Sequence, residues 1–315
     1  MRILACLTAV LLGAALTLPN PPKASAADDD PNWQACIGKK TAAVDRVTAC
    51  SAVIDGKTET DKRLAAAYCG RGYGLTERRE FDAALTDLNE SIRLNPAYAC
   101  PYSNRGRVYA FKGDLDHAIA DYDEAIRIDP TFATGYNNRG DAWAGKGDLD
   151  RALADFSLAI KYDPKLASAY GNRGFVYFRK RDTAHAIADY TTEIQLQANV
   201  LAYINRGNVY RDMKQLDRAA ADYGEAARIA PTDARGWRNR GLIRLFQDDA
   251  KGGVADYDKA LQYDPNDAYS WSNRALGKMQ LGDKPGAVAD FRKALELRPD
   301  LKTAQEALER LGATR

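Results

Sequence analysis

Histidine and methionine are scarce in this chain of 315 residues, with two and three copies. So few histidines leave little for metal ligation or for proton transfer near neutral pH. Net charge is nearly absent as well. There are 45 Lys+Arg against 43 Asp+Glu, a formal +2, and this excludes a polybasic nucleic-acid binder, because phosphate binding needs a concentrated surplus of cations. No GxSxG, HExxH or paired-carboxylate constellation stands out, and no glycine-rich loop follows a strand pattern to cradle phosphate. The sequence therefore assigns no catalytic residue, no cofactor site and no metal site. His117 and His185 read as solvated surface residues. What is present is ample apolar material, 45% of residues, so wholesale disorder is excluded. Tyrosine is in excess over phenylalanine, 17 to eight, and cysteine is odd in number, at five.

The first residues account for the odd cysteine. Arg2 precedes a mainly apolar run of 16 residues, Ile3 to Leu18, which Pro19, Pro21 and Pro22 break before Ala24-Ser25-Ala26. This order predicts a cleaved secretory signal over residues 1–26, and hence a periplasmic or secreted protein. The alternative is an uncleaved inner-membrane anchor, although the run is shorter than the roughly 20 residues a spanning helix needs. No other segment approaches that length, so no spanning segment is expected after cleavage. Cleavage removes Cys6 and leaves Cys36, Cys50, Cys69 and Cys100. An even set in an exported chain favours disulfides, and no CxxC spacing suggests redox catalysis or zinc.

The rest of the chain repeats. Arg-Gly recurs at Arg71, Arg105, Arg139, Arg173, Arg206 and Arg240, and Arg274-Ala275 continues the series at steps of 34, 34, 34, 33, 34 and 34. Prolines keep step at Pro96, Pro130, Pro164, Pro231, Pro265 and Pro299, with Ala198 in the missing place. Seven units follow, at residues 65–98, 99–132, 133–166, 167–199, 200–233, 234–267 and 268–301. Each reads as a helical hairpin, with a glycine or polar stop between its helices and a proline after the second. With the proline at position 32, position 4 is aromatic in every unit, position 8 is Gly in six and position 20 is Ala in six. Position 24 is aromatic in all units but the first, and position 27 is Ala in five. Small residues at 8, 20 and 27 let the two helices approach, and the aromatics fill their flanks.

This pattern resembles the tetratricopeptide repeat (TPR), over about three quarters of the chain. The resemblance implies an all-α, right-handed solenoid of helical hairpins. Residues 27–64 are expected to form a degenerate hairpin cap and linker, stapled by Cys36–Cys50, with Cys50 at the aromatic place. Residues 302–315 are expected to form a C-terminal capping helix. Cys69 and Cys100 fall at positions 5 and 2 of neighbouring units and are a possible second bridge. The departures are Leu75, Arg244 and Lys278 at position 11, Gly253 at position 20, and Ser91 and Glu193 at position 27. With the missing proline and the short fourth unit, they predict a local change of superhelical twist around residues 193–204.

Two charge patterns recur. Arg stands at position 7 and Asp at position 23 in every unit, which predicts ion pairs tying the two helices together: Arg105–Asp121, Arg139–Asp155, Arg173–Asp189 and their equivalents. Position 6 is Asn in six successive units, at Asn104, Asn138, Asn172, Asn205, Asn239 and Asn273. A helical wheel places positions 2, 5, 6, 9, 12 and 13 on the outward arc of the first helix, which lines the concave groove in TPR arrays. The row resembles the asparagine ladder in the TPR arm of O-linked N-acetylglucosamine transferases, where amides can bond a peptide backbone whatever its sequence. The alternative is that these amides only bridge neighbouring first helices.

Specificity would then come from Arg107, Phe111, Phe175, Arg179, Arg211, Arg235, Arg238 and Phe246, with Asn137, Asn208, Leu242 and Tyr269 beside them. Arginine with aromatics and few acids suits an extended protein segment, acidic and with apolar anchors. The sequence thus predicts a non-catalytic protein-binding scaffold or adaptor of the bacterial cell envelope, with no nucleic-acid, metal or cofactor partner. Two alternatives remain: an envelope enzyme or its regulatory subunit with an unrecognised groove site, and a self-assembling structural component.

Overall fold

A computed structural model describes residues 30–38, 41–56 and 60–313. The expected signal segment, with Cys6, lies outside the described residues. Seventeen helices and no strand occur among those described, and no helix there is long and apolar enough to cross a membrane. The chain divides after Asn95 into two compact units.

The first unit holds α1 (Pro31–Ile37), α2 (Ala43–Asp55), α3 (Asp61–Glu77) and α4 (Phe81–Leu94). Cys36 and Cys50 form a disulfide between α1 and α2, and both are fully buried. Arg46 secures the same hairpin. Its guanidinium donates to the carbonyls of Cys36 and Gly38 at 3.1 and 2.6 Å, acceptors that the end of α1 leaves open, and to that of Thr41, just before α2, at 3.2 Å. α3 begins at Asp61 rather than at Ala65, where the repeat frame starts. Ser91, in place of the usual alanine at position 27, turns its hydroxyl onto the Ala65 carbonyl at 2.7 Å.

The second unit runs from Pro96. Its hairpins are α5 (Ala99–Phe111) with α6 (Leu115–Ile128), α7 (Ala133–Gly145) with α8 (Leu149–Tyr162), and α9 (Ala167–Arg179) with α10 (Thr183–Leu196). They continue with α11 (Val200–Asp212) and α12 (Leu216–Ile229), α13 (Ala234–Phe246) and α14 (Ala250–Tyr263), and α15 (Ala268–Gln280) and α16 (Lys284–Leu297), closed by α17 (Lys302–Arg310). Every helix packs on the next, and the first helices also touch one another from α5 through α15. That side of the unit is therefore a continuous face of first helices. Ala304 and Leu308 of α17 join Phe291 and Ala294 in a terminal core cluster, which covers the apolar end of the last repeat.

Local chemistry sets each hairpin. Asp114, Asp148, Asp182, Asp249 and Asp283 cap the second helices by accepting a backbone N–H from the residue three further on. The intervening turn needs a left-handed residue, supplied by Gly113, Gly147 and Gly282 but also by Arg79, Arg181, Lys214 and Asp248. The position-4 ring latches five of the repeats to the one before. Tyr102, Tyr136 and Tyr170 donate to the carbonyls of Pro96, Pro130 and Pro164 at 3.3 Å, and Trp237 and Trp271 to those of Pro231 and Pro265 at 2.9 Å. Where Ala198 replaces proline, Asn199 takes over. It caps α11 at Ala202 and donates to Glu193 Oε1 at 3.1 Å.

The core is the position-24 row. Among the described residues, the seven largest fully buried side chains are Tyr122, Tyr190, Tyr223, Tyr257, Phe156, Phe291 and Leu88. They explain the small residue at position 8, since a Cβ on Gly106 would stand 2.7 Å from the Tyr122 ring and one on Gly140 2.8 Å from Phe156.

Candidate functional site

All seven position-7 arginines grip their position-23 aspartate through two hydrogen bonds of 2.6–2.9 Å, from Arg71–Asp87 to Arg274–Asp290. The aspartates are buried and the arginines mostly so. Each guanidinium also lies over its own position-4 ring, at 4.5–5.8 Å from the centroid. Some reach back to position 25 of the preceding repeat: Arg139 to Asp123 at 2.6 Å, Arg206 to Thr191 at 3.0 Å and Arg274 to Asp258 at 2.7 Å. These residues hold the frame that carries the first-helix face.

On that face the helical wheel misplaces one position. Position 5 does not face outward. Ser103, Asn137 and Ile204 are buried where the next first helix covers them, and Ser272 of the last repeat is buried as well. The position-6 amides reach into this seam. Asn138 donates to Ser103 Oγ at 3.3 Å, Asn172 to Asn137 Oδ1 at 3.2 Å, and Asn137 to Asn138 Oδ1 at 3.5 Å. Asn138 and Asn172 thus bridge neighbouring first helices and still line an open pocket of about 530 Å³ on the same face. Asn205 and Asn239 are half-buried, and Asn273 sits against Tyr257. Asn104 instead donates to the Cys100 sulfur one turn back, at 3.5 Å. Cys69 and Cys100 both remain thiols, so the second bridge considered from sequence is not formed: Cys100 is engaged along its own helix.

The groove cations also differ from the sequence reading. Arg211 pairs with Asp212 at 3.1 Å, Arg235 with Asp233 at 2.6 Å and Arg238 with Asp267 at 3.2 Å. Asp212 stands at position 13, on the groove arc itself, whereas Asp233 and Asp267 stand at position 34, outside it. Arg179, by contrast, is exposed and makes no ion pair among the described residues. Phe111, Phe175, Phe246 and Tyr269 are exposed on the face, while Asn208 accepts from the Tyr223 hydroxyl at 2.7 Å and Leu242 is half-buried. Asp141, missed from sequence, lines the pocket as well. Its carboxyl is open to the groove yet crowded by the walls, and this desolvation pushes its pKa up. The signal that could have found it is an acid at position 9, the place of Arg107 and Phe175 in the flanking repeats.

The histidines are exposed but not idle. His117 and His185 each place a ring nitrogen 2.7 Å from the helix-capping aspartate, Asp114 or Asp182. No group of three or more His, Cys, Asp or Glu suited to a metal occurs among the described residues.

The profiles of the tetratricopeptide repeat match residues 106–147, 144–180, 200–233 and 238–302, together more than half of the chain. The chain belongs to the tetratricopeptide repeat family. No curated protein sequence matches it. Among solved structures, the TPR chain is similar to YrrB, described as a TPR protein with an unusual peptide-binding site. Identity is 21% and the TM-score 0.53, over 60% of this chain and 97% of that one. It is also similar to PilF of Pseudomonas aeruginosa, with 16% identity, a TM-score of 0.56, and coverage of 80% and 100%. A third similar structure is the Cut9–Hcn1 assembly of the APC/C, at 17% identity and a TM-score of 0.62. There the match covers 85% of this chain but about half, 52%, of the other. At these identities the likeness is one of fold.

Proposed function

We propose that this TPR protein is a non-catalytic scaffold that holds an extended segment of a partner protein against the first-helix face of its repeats. One observation carries this reading. Asn138 and Asn172 are fixed by bridges across the seam and still present amide groups to an open pocket flanked by exposed phenylalanines. Amides held in place lose little further freedom when they bond a peptide backbone, which favours binding. The TPR family is generally non-catalytic, and its member YrrB carries a peptide-binding site.

The bacterial cell envelope is the proposed compartment. The apolar N-terminal run and the Cys36–Cys50 disulfide support it, since such bonds persist in oxidising surroundings. Fractionating cells that express the full chain tests the location, and recovery in the cytosol with residues 1–26 intact would refute it. Cross-linking in the living envelope tests the scaffold. A partner should be captured, and Asn172→Ala with Asn205→Ala should release it while the melting point stays close to that of the parent. Undiminished capture by that double variant would remove the amide row from the account.

A further inference from the structure

Positions 9 and 13 of α5, α7 and α9 form a grid of six residues around the pocket. Along position 9 stand Arg107, Asp141 and Phe175; along position 13 stand Phe111, Gly145 and Arg179. A cation and a phenyl ring therefore alternate on the outer helices, with a gap at the centre. The gap is Gly145, the last residue of α7. A Cβ there would stand 3.2 Å from Leu115 Cδ1, closer than ordinary contact, so the absent side chain leaves the pocket floor to Leu115 and the α7 backbone.

We propose that this gap is an anchor subsite that takes a tyrosine or tryptophan side chain of the bound segment. The inference rests on the scaffold reading and makes it specific. A side chain entering over Gly145 has the Phe111 ring on one side and the Arg179 guanidinium on the other. Flat aromatic rings suit both neighbours, through ring stacking and through cation–π contact with an arginine that has no ion pair among the described residues. The pocket volume of about 530 Å³ accommodates an indole. Asp141 selects among the aromatics. Its carboxylate forms neither an ion pair nor a hydrogen bond among the described residues, lies one helical turn from Gly145, and is held above the ordinary carboxyl range by desolvation. A phenol O–H or an indole N–H supplies the donor it lacks; a phenylalanine or leucine does not.

The test uses the full chain and four probes: the N-acetyl amides of tryptophan, tyrosine, phenylalanine and leucine, titrated while the Gly145 amide resonance is followed. Tryptophan and tyrosine amides should shift it, and leucine amide should bind about five- to tenfold more weakly. Asp141→Ala should bring tryptophan and tyrosine down to the level of phenylalanine. Gly145→Leu should abolish binding; its Cβ stands 3.2 Å from Leu115 Cδ1, so Leu115 must shift, and a retained cooperative melting transition shows that the loss is not one of folding. A Gly145 signal that none of the aromatic amides moves, or leucine binding as tightly as tryptophan, overturns the proposal. Partner capture separates the two claims. Capture that survives Gly145→Leu but fails in the Asn172→Ala, Asn205→Ala variant removes the anchor and leaves the scaffold. Capture indifferent to both sets of changes removes both.

Discussion

In repeats two to four, the rings at position 11 face a partner at position 19 across the hairpin. Tyr109 lies 5.3 Å from His117, Trp143 has Arg151 at 4.2 Å, and Tyr177 lies 4.9 Å from His185. Repeats six and seven change both positions together. Position 11 becomes Arg244 or Lys278, and position 19 becomes Gly252 or Gly286. The new cations turn inward to the carboxylates already held by the position-7 arginines, Arg244 to Asp256 at 2.9 Å and Lys278 to Asp290 at 2.8 Å. A Cβ on Gly252 would meet the capping Asp249 carboxylate first and then stand 3.0 Å from the Arg244 side chain, so the glycine leaves room for both the cap and the arginine. One frame thus closes its hairpins in two ways: by stacking at the rim, or by a second cation on a buried acid.

The same contrast extends to the groove. Around repeat six the arginines are neutralised within the chain, Arg235 by Asp233 and Arg238 by Asp267. In repeats three and four Asp141 and Arg179 are left unmet beside an open pocket. Unmet charge costs stability and offers recognition, which is the usual compromise of a binding site. On the proposed scaffold reading, the binding role falls on the earlier repeats, while the groove arginines of repeat six are satisfied within the chain.

The largest test of this contrast concerns the buried acids. Arg139→Ala strips Asp155 of its hairpin cation and should cost about 3–5 kcal/mol, the range for breaking a buried pair. Arg240→Ala leaves Arg244 on Asp256 and should cost clearly less; urea midpoints read both. Equal losses would deny Arg244 its compensating role. Next comes the paired switch. Arg244→Tyr and Gly252→His made together should be more stable than their separate effects add up to, by about 1 kcal/mol in a double-mutant cycle. Strict additivity would mean that positions 11 and 19 vary independently.

Third are the turns. Repeat three uses Gly147 in the left-handed conformation and repeat six uses Asp248. Asp248→Gly should gain, and Gly147→Asp lose, about 1 kcal/mol, read from thermal melts. The smallest effects come from desolvated carboxyls. Glu193 stands where most repeats have alanine, and burial holds its pKa above the ordinary value despite the bond from Asn199. A raised carboxyl pKa destabilises the fold above the folded pKa, and the penalty fades as pH falls below the unfolded value. Asp141→Asn and Glu193→Gln should therefore each raise the melting point at neutral pH, and the gain should shrink towards about pH 4. A gain that persists in acid would point to a cause other than charge.

The frame was legible in the sequence because its interactions fall at constant separations within one hairpin. Arg and Asp recur 16 residues apart, and the aromatic at position 24 always meets the small residue at position 8. The pocket was harder to see. It depends on an absent side chain at Gly145, flanked by residues of two other helices, so no periodic signal marks it. A wheel drawn for a single helix turned position 5 outward, because it omits the neighbouring first helix that covers Asn137. Arg244 and Lys278 stood out as departures, yet their destination on Asp256 and Asp290 appears only when both helices are in place. The pairing of Arg238 with Asp267 was missed for the same reason.

Site-specific photo-cross-linking tests the central claim most directly. A benzoylphenylalanine is placed in turn at Phe111 and Phe175, on the first-helix face of repeats two and four, and at the exposed second-helix residues Arg127 and Lys161. The account predicts that a partner chain is captured from Phe111 and Phe175 and not from Arg127 or Lys161, and that Gly145→Leu weakens the capture. Capture from Arg127 and Lys161 alone would place the partner on the opposite helices and contradict it.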